Sequence, residues 1–215
     1  MTNIISDVAG NYKSLLKLID KMPDGELIFL GDLIDRGPRS KEVIEFVMNH
    51  DNARCVLANH EHMMINHCRG GDYYANNVWL WNGGSETVNS FGGHRKFISK
   101  DIISWTMSLP KYIEVGNALL SHSFIAPHLT LEEACDLGTS IDGGASEDSI
   151  LWNRSEPIRR DQWELQICGH NSQYGLRSWE DGNGKFAMCL DDSRKKVLTG
   201  LHLETMEVFQ QEVAE

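Results

Sequence analysis

The sequence predicts an α/β fold, and three observations carry that expectation. A strand, a turn and an amphipathic helix follow one another three times near the N-terminus, each strand runs out onto a polar residue, and the second half breaks into short apolar runs separated by turn residues. In "IISDVAGNYKSLL", Ile4 and Ile5 lead into Asp7, Gly10-Asn11 make the turn, and Leu15, Leu16, Leu18, Ile19 and Met22 follow at helical spacing. "GELIFLGD" gives a strand over Leu27 to Leu30 that ends at Asp32, with Val43, Ile44 and Val47 marking a helix from near Ser40. "ARCVLANHE" puts a third strand at Cys55 to Leu57 and delivers Asn59 and His60 just beyond it, with Met63 and Met64 in the next helix.

Strands alternating with helices imply right-handed crossovers and a largely parallel sheet, so the carboxyl ends of the strands share one edge. Ligand sites of open α/β sheets lie outside that edge, which brings Asp7, Asp32, Asn59 and His60 together. Further on, "KYIEVGNALLSH" reads as two strands about a Gly116-Asn117 turn, ending at His122, and "LQICGH" delivers His170 in the same way. "KFAMCLDDS", "KKVLTGLHLE" and "MEVFQQEV" read as three consecutive strands of a second, mixed or antiparallel sheet. Residues 69–110, with "GGDYYANNVWLWNGG" and a helical pattern around Trp105, read as a cap inserted beside the site, within a single domain spanning 1–215.

Composition narrows the function classes. No apolar run approaches the about 18 residues of a membrane span, and "MTNIISD" has neither the basic nor the apolar region of a signal peptide, so a cytoplasmic protein is expected. Five scattered cysteines without C-x-x-C spacing argue against both a disulfide framework and a thiolate zinc site. A formal charge of −11 disfavours a nonspecific grip on nucleic acid, which rests on Lys and Arg.

The strand-end residues are two aspartates, an asparagine and three histidines. Such oxygen and imidazole donors suit divalent Mn²⁺, Fe²⁺ or Zn²⁺. A lone aspartate after a strand is ordinarily a cap or turn residue, and His50, His62, His67, His94, His128 and His202 read as ordinary surface or core histidines. "GDLIDRG" at 31–37 with "NHE" at 59–61, followed by strand-terminal His122 and His170, has no such simple structural account. Donors in this number can hold two ions, and two ions sharing a bridging water would activate it for in-line attack on phosphorus.

These motifs resemble the calcineurin-like metallophosphoesterases of the protein serine/threonine phosphatase type, whose pattern is D-x-H-G, G-D-x-x-D-R-G and G-N-H-E with two later histidines. Here the counterparts are "DVAG" at 7–10, "GDLIDRG", "ANHE" at 58–61, "SH" at 121–122, "ILWNR" at 150–154 and "GH" at 169–170, and the likeness is closest to the small bacterial and bacteriophage lambda-type phosphatases. The resemblance implies a four-layer sandwich of two mixed sheets flanked by helices. It implies two divalent ions, manganese first, with Fe²⁺, Zn²⁺, Ni²⁺ or Mg²⁺ as alternatives. By position, Asp32 bridges them, Asp7 serves the first, and Asn59, His122 and His170 serve the second. His60, oriented by Asp35, is the general acid, and Arg36 and Arg154 clamp the phosphoryl oxygens. The implied activity is hydrolysis of phosphomonoesters, phosphoproteins included.

Three positions depart from the pattern. Ala9 stands where the family has a metal-binding histidine, which leaves the first ion short of a ligand and predicts impaired activity; with every other ligand position intact, Ala9 reads as a replacement or recent lesion. Leu57 stands where lambda-type and eukaryotic phosphatases have an arginine before G-N-H-E; the similar symmetrical diadenosine tetraphosphate hydrolases also lack that arginine, so a dinucleoside polyphosphate hydrolase is the alternative reading. A non-catalytic phospholigand-binding protein is the other. Ala58 replaces a glycine, which the backbone tolerates only at negative φ. Tyr73, Tyr74, Trp79 and Trp81 read as a small cap core or a stacking surface for a base or phosphotyrosine, and Asp191-Asp192 as turn residues rather than ligands.

Overall fold

A computed structural model describes residues 1–70, 77–137 and 146–214. The first three strands, β1 (Thr2–Ile5), β2 (Glu26–Phe29) and β3 (Ala53–Cys55), are joined through helices α1 (Tyr12–Ile19) and α2 (Ser40–Asn49), and α3 (Asn59–Cys68) follows β3. They pair in parallel, Ile5 opposite Phe29 and Phe29 opposite Cys55, so their carboxyl ends lie level. This is the arrangement the three strand-turn-helix units predict.

Residues 80–84 form a π-turn leading into α4 (Ser85–Ser90), and α5 (Lys100–Ser108) completes this helical stretch. The second half holds β4 (Tyr112–Val115), β5 (Ala118–Ser121), α6 (Leu131–Asp136), β6 (Leu165–Cys168), β7 (Arg177–Asp181), β8 (Gly184–Cys189), β9 (Val197–His202) and β10 (Glu207–Glu212). The sheets run β10-β9-β1-β2-β3 and β4-β5-β6-β8-β7. Both are mixed.

The alternation of side chains along each strand builds the layers. Ile4, Ile28, Leu30 and Leu201 of the first sheet pack against Leu120, Ile167 and Met188 of the second, while Ile5, Leu27 and Phe29 turn outward onto Leu15, Leu18, Val43 and Ile44 of α1 and α2. Leu119 packs with Ala134 of α6 on the far face of the second sheet. The result is the expected four-layer sandwich of two mixed sheets flanked by helices.

Two expectations are corrected. The last three strands do not form one sheet: β8 lies in the second, whereas β9 and β10 cross to the first, β9 running antiparallel to β1 with Ile4 opposite Leu201. The crossing is made by a short 3₁₀ turn, Ser193–Lys195, closed by Lys196 in the left-handed conformation, and it covers the otherwise unpaired edge of β1. The sequence reading also missed β7, an exposed edge strand whose inward residue is Trp179. Ala58 sits at φ −120°, so the loss of the motif glycine costs no backbone strain.

Candidate metal centre

Six parallel strands aim their carboxyl ends at one place. Asp7 follows β1, Asp32 follows β2, Asn59 opens α3 just after β3, His122 follows β5, His170 follows β6, and Asp191 follows β8. All six are buried. The ligand atoms of Asp7, Asp32 and His122 lie within 4.8 Å of one another. Nε2 of His122 is 2.7 Å from Oδ1 of Asn59 and 3.4 Å from Oδ1 of Asp32, and the rings of His122 and His170 lie 4.9 Å apart. Nδ1 of His122 bonds the Leu30 carbonyl at 2.8 Å, which leaves Nε2 turned toward the centre.

The backbone here is held in a costly conformation. Ala9, Asp32, Asp35, Arg36 and His170 all have φ between 48° and 73°, and each such residue costs on the order of 1–3 kcal/mol unless its surroundings fix it. They do. Ala9 N–H donates to the Asp32 carbonyl at 2.8 Å, and Gly37 N–H donates to the Ala9 carbonyl at 3.0 Å. His170 N–H donates to Asp7 at 3.0 Å. The buried Glu61 carboxylate accepts from Asp32 N–H at 3.0 Å and Leu33 N–H at 2.9 Å, fixing the loop from beneath. Burial and the charge of Asp32 push Glu61 up to about 8. Glu61→Ala is expected to cost about 3 kcal/mol of stability, because two buried N–H groups lose their acceptor; urea unfolding monitored by circular dichroism checks this.

A second group surrounds His60. Its Nδ1 lies 2.5 Å from Asp35 Oδ2, and its Nε2 lies 3.0 Å from an Arg36 Nη2 that donates to it. Asp35 is fully enclosed: Trp79 Nε1 donates to it at 2.9 Å and Thr87 Oγ1 at 2.6 Å. Trp79 is therefore not a base-stacking surface; its ring is buried core, as the cap-core reading expects, and its N–H also holds a carboxylate. Trp81 is exposed, and Tyr73 and Tyr74 lie outside the described residues. Arg36 and Arg154 are exposed at the mouth, with Arg154 Nη1 3.5 Å from the His170 carbonyl.

Electrostatics show that the donor set fits a cation. Burial, then the like charges of Asp191 and Asp32, raise Asp7 well above the ordinary carboxylate range. Burial also acts to raise Asp32, but positive charge on His60, His122, His170 and Arg36 outweighs it and holds that carboxyl at about 2. Burial lowers His122 and His170, which favours the neutral imidazole that a metal requires. Packed carboxylates and neutral imidazoles around one point suit a divalent ion. Asp7, Asp32 and His122 stand close enough together to hold a divalent ion, Asn59 and His170 lie beside them, and the Ala9 methyl offers no donor.

The residues singled out from the sequence as ligands or catalytic groups, Asp7, Asp32, Asp35, Arg36, Asn59, His60, His122, Arg154 and His170, thus lie at this one edge. Asp191 was missed as a site residue. Its Oδ1 accepts from Ser193 N–H at 3.0 Å, the expected turn, but its carboxylate is buried close enough to raise Asp7. Its position directly after β8, a strand parallel to β6, was the available signal. Glu61 was quoted within the NHE motif but given no role, and the contacts of Trp79 and Thr87 to Asp35 were missed because they are long-range and no local pattern encodes them.

The matches to known proteins agree with this geometry. The calcineurin-like phosphoesterase family model matches residues 2–198. A zinc-dependent endopolyphosphatase of Saccharomyces cerevisiae is 30% identical over 145 residues, covering 64% of this chain and 43% of that protein. A symmetrical bis(5'-nucleosyl)-tetraphosphatase of Chromobacterium violaceum is 28% identical over 148 residues, covering 66% of this chain and 50% of that one. The chain therefore spans about half the length of these curated relatives. A solved structure provisionally assigned as a diadenosine tetraphosphatase superposes with a TM-score of 0.67 at 17% identity, over 97% of this chain and 91% of that one, which shows a shared fold. With six parallel strand ends converging on one donor cluster and the family match running through most of its length, the chain belongs to the calcineurin-like phosphoesterases.

Proposed function

We propose that the chain is a metal-dependent hydrolase of nucleotide phosphoanhydrides, with dinucleoside polyphosphates of the diadenosine tetraphosphate type as the substrate class. The observation that carries the hydrolase reading is the convergence of Asp7, Asp32, Asn59, His122 and His170 beside the Asp35–His60 pair. The nucleotide substrate is supported by Leu57, which withholds a third guanidinium, and by the bis(5'-nucleosyl)-tetraphosphatases among the relatives.

Asp32 with Asn59, His122 and His170 would hold one divalent ion, and Asp32 with Asp7 the other; manganese is expected, with iron, zinc, nickel or magnesium as alternatives. When bound, such ions supply an acidified water for attack on phosphorus and positive charge for its oxygens. The chain's own residues do the rest. Arg36 and Arg154 pair with the phosphoryl oxygens as charge builds on them. Asp35 keeps Nδ1 of His60 protonated, which directs Nε2 to the leaving oxygen. For Nε2 to give that oxygen a proton, Arg36 must leave His60 for the phosphoryl group and the freed nitrogen must take a proton from water, so substrate binding is what allows the acid to be armed.

The test is Mn²⁺-dependent initial rates on diadenosine tetraphosphate, a phosphoserine peptide and p-nitrophenyl phosphate. A kcat/KM at least tenfold higher on the dinucleotide supports the proposal. Preference for the phosphopeptide transfers it to the phosphomonoesterase reading, which the exposed Arg36 and Arg154 favour. Binding without turnover, even with histidine at position 9, leaves a phospholigand-binding protein.

A further inference from the structure

A cavity of about 610 Å³ opens from the flank of the centre, bordered at its inner end by Asp7, Ala9 and Arg36 and farther out by Arg194 and Lys196. A terminal phosphoryl group fills a small part of that space, which lies in the range of pockets for whole nucleotides. Its charge is unlike that of the chain. With a net charge of −11 overall, the border of this cavity carries three cations against the single carboxylate of Asp7. Among the described residues, neither Arg194 nor Lys196 has an ion-pair partner, whereas the adjacent Lys195, outside the lining, is paired with Asp192 at 3.1 Å.

The wall is also held in place. Lys196 adopts φ +56°, a conformation that lysine rarely takes. The turn is closed by Lys196 N–H on the Ser193 carbonyl at 2.9 Å, and Val213 N–H donates to the Lys196 carbonyl at 2.8 Å. The backbone that carries the two cations is thus pinned to the C-terminal strand rather than loose.

We infer that Arg194 and Lys196 form a subsite for further phosphate groups of a polyphosphate substrate, reached through the space that Ala9 leaves open. This rests on the phosphoanhydride reading for its reaction. When an internal phosphorus is attacked, one P–O bond forms to the incoming water oxygen and the P–O bond to the bridging oxygen breaks. A proton passes to that leaving oxygen. The attacked phosphorus keeps a phosphate chain as its remaining substituent, which a monoester lacks, and that retained chain runs sideways into the cavity onto Arg194 and Lys196. A side chain at position 9 larger than methyl would narrow its entrance. The departure from the family pattern thereby becomes a determinant of specificity as well as a lost ligand.

The experiment is titration calorimetry of the whole chain with tripolyphosphate and with orthophosphate, each in a fixed excess of Mg²⁺ so that chelation by the ligand stays constant. The chain is expected to bind tripolyphosphate at least tenfold more tightly than orthophosphate. The Arg194→Gln/Lys196→Gln double variant, altered only at exposed positions, is expected to lose at least fivefold of that ratio, and Lys195→Gln to keep it. A ratio unmoved by the double variant, or reduced equally by Lys195→Gln, overturns the subsite, the second result assigning the preference to general charge. If diadenosine tetraphosphate is not hydrolysed while the ratio still depends on Arg194 and Lys196, the subsite stands and the hydrolase reading fails.

Discussion

Ala9→His is expected to raise turnover of p-nitrophenyl phosphate by about 100-fold or more at limiting Mn²⁺, since disturbing even the groups behind a metal ligand costs 10–100-fold. The structure makes this substitution unusually clean. Ala9 lies at φ +48°, where histidine is among the better tolerated side chains. Its backbone is clamped on both sides, by its own N–H to Asp32 and by Gly37 N–H and Asn11 Nδ2, the latter at 2.9 Å, on its carbonyl. The loop has no reason to move when the side chain grows. Ala9 and Asp7 both border the open cavity, so the imidazole is expected to enter that space rather than displace core. Elemental analysis of the dialysed variant checks the cause: two ions per chain at saturating Mn²⁺ are expected, and fewer than two would overturn the dinuclear reading. The same imidazole narrows the route to Arg194 and Lys196. The gain on p-nitrophenyl phosphate should therefore exceed the gain on diadenosine tetraphosphate, a difference that a purely metal-based effect would not produce.

What the sequence disclosed follows from where the relevant physics is local. Asp7, Asp32, His122 and His170 were legible because each directly follows an apolar strand, and parallel pairing makes such positions converge whatever their separation in the chain. The helices after β1, β2 and β3 were legible from the spacing of Leu15, Leu18, Val43 and Ile44, which pack on the first sheet as expected. The sheet to which β9 belongs was not. A strand such as "VLTGLH" carries apolar residues for two faces, and nothing within it distinguishes pairing with β1 from pairing with β8; the choice is made by the Ser193–Lys196 turn and by the free edge of β1. Trp79 and Thr87 were hidden for a related reason. Each reaches Asp35 across more than forty positions of sequence, and a tryptophan read for its area gives no sign that its N–H is the part in use. Asp191 was legible in principle. It was set aside because an Asp-Asp pair after a strand is ordinarily a turn, and here it is both a turn and a wall of the centre.

His60→Asn is expected to lower kcat by about 10²- to 10⁴-fold on a substrate with a basic leaving group, the range typical of removing a general acid. The loss on p-nitrophenyl phosphate should be much smaller, because p-nitrophenolate departs without protonation. That split is the signature of proton donation rather than of misfolding, which would depress both rates alike. His60 is the better residue for the test than Asp35. Asp35 accepts from His60, Trp79 and Thr87 in a fully buried place, so an amide there would set a donor against existing donors and disturb the fold as well as the chemistry. His60 stands at the start of α3, and asparagine can still meet Asp35 with its side-chain amide. Burial alone would lower the imidazole pKa, but Asp32 and Asp35 together raise it above the ordinary value, which keeps a proton available for the leaving oxygen. If His60→Asn slows p-nitrophenyl phosphate and a phosphoserine peptide, whose alkoxide leaving group is strongly basic, by the same factor while its circular dichroism is unchanged, the histidine serves to position Arg36 through their 3.0 Å contact, and the leaving oxygen takes its proton from water.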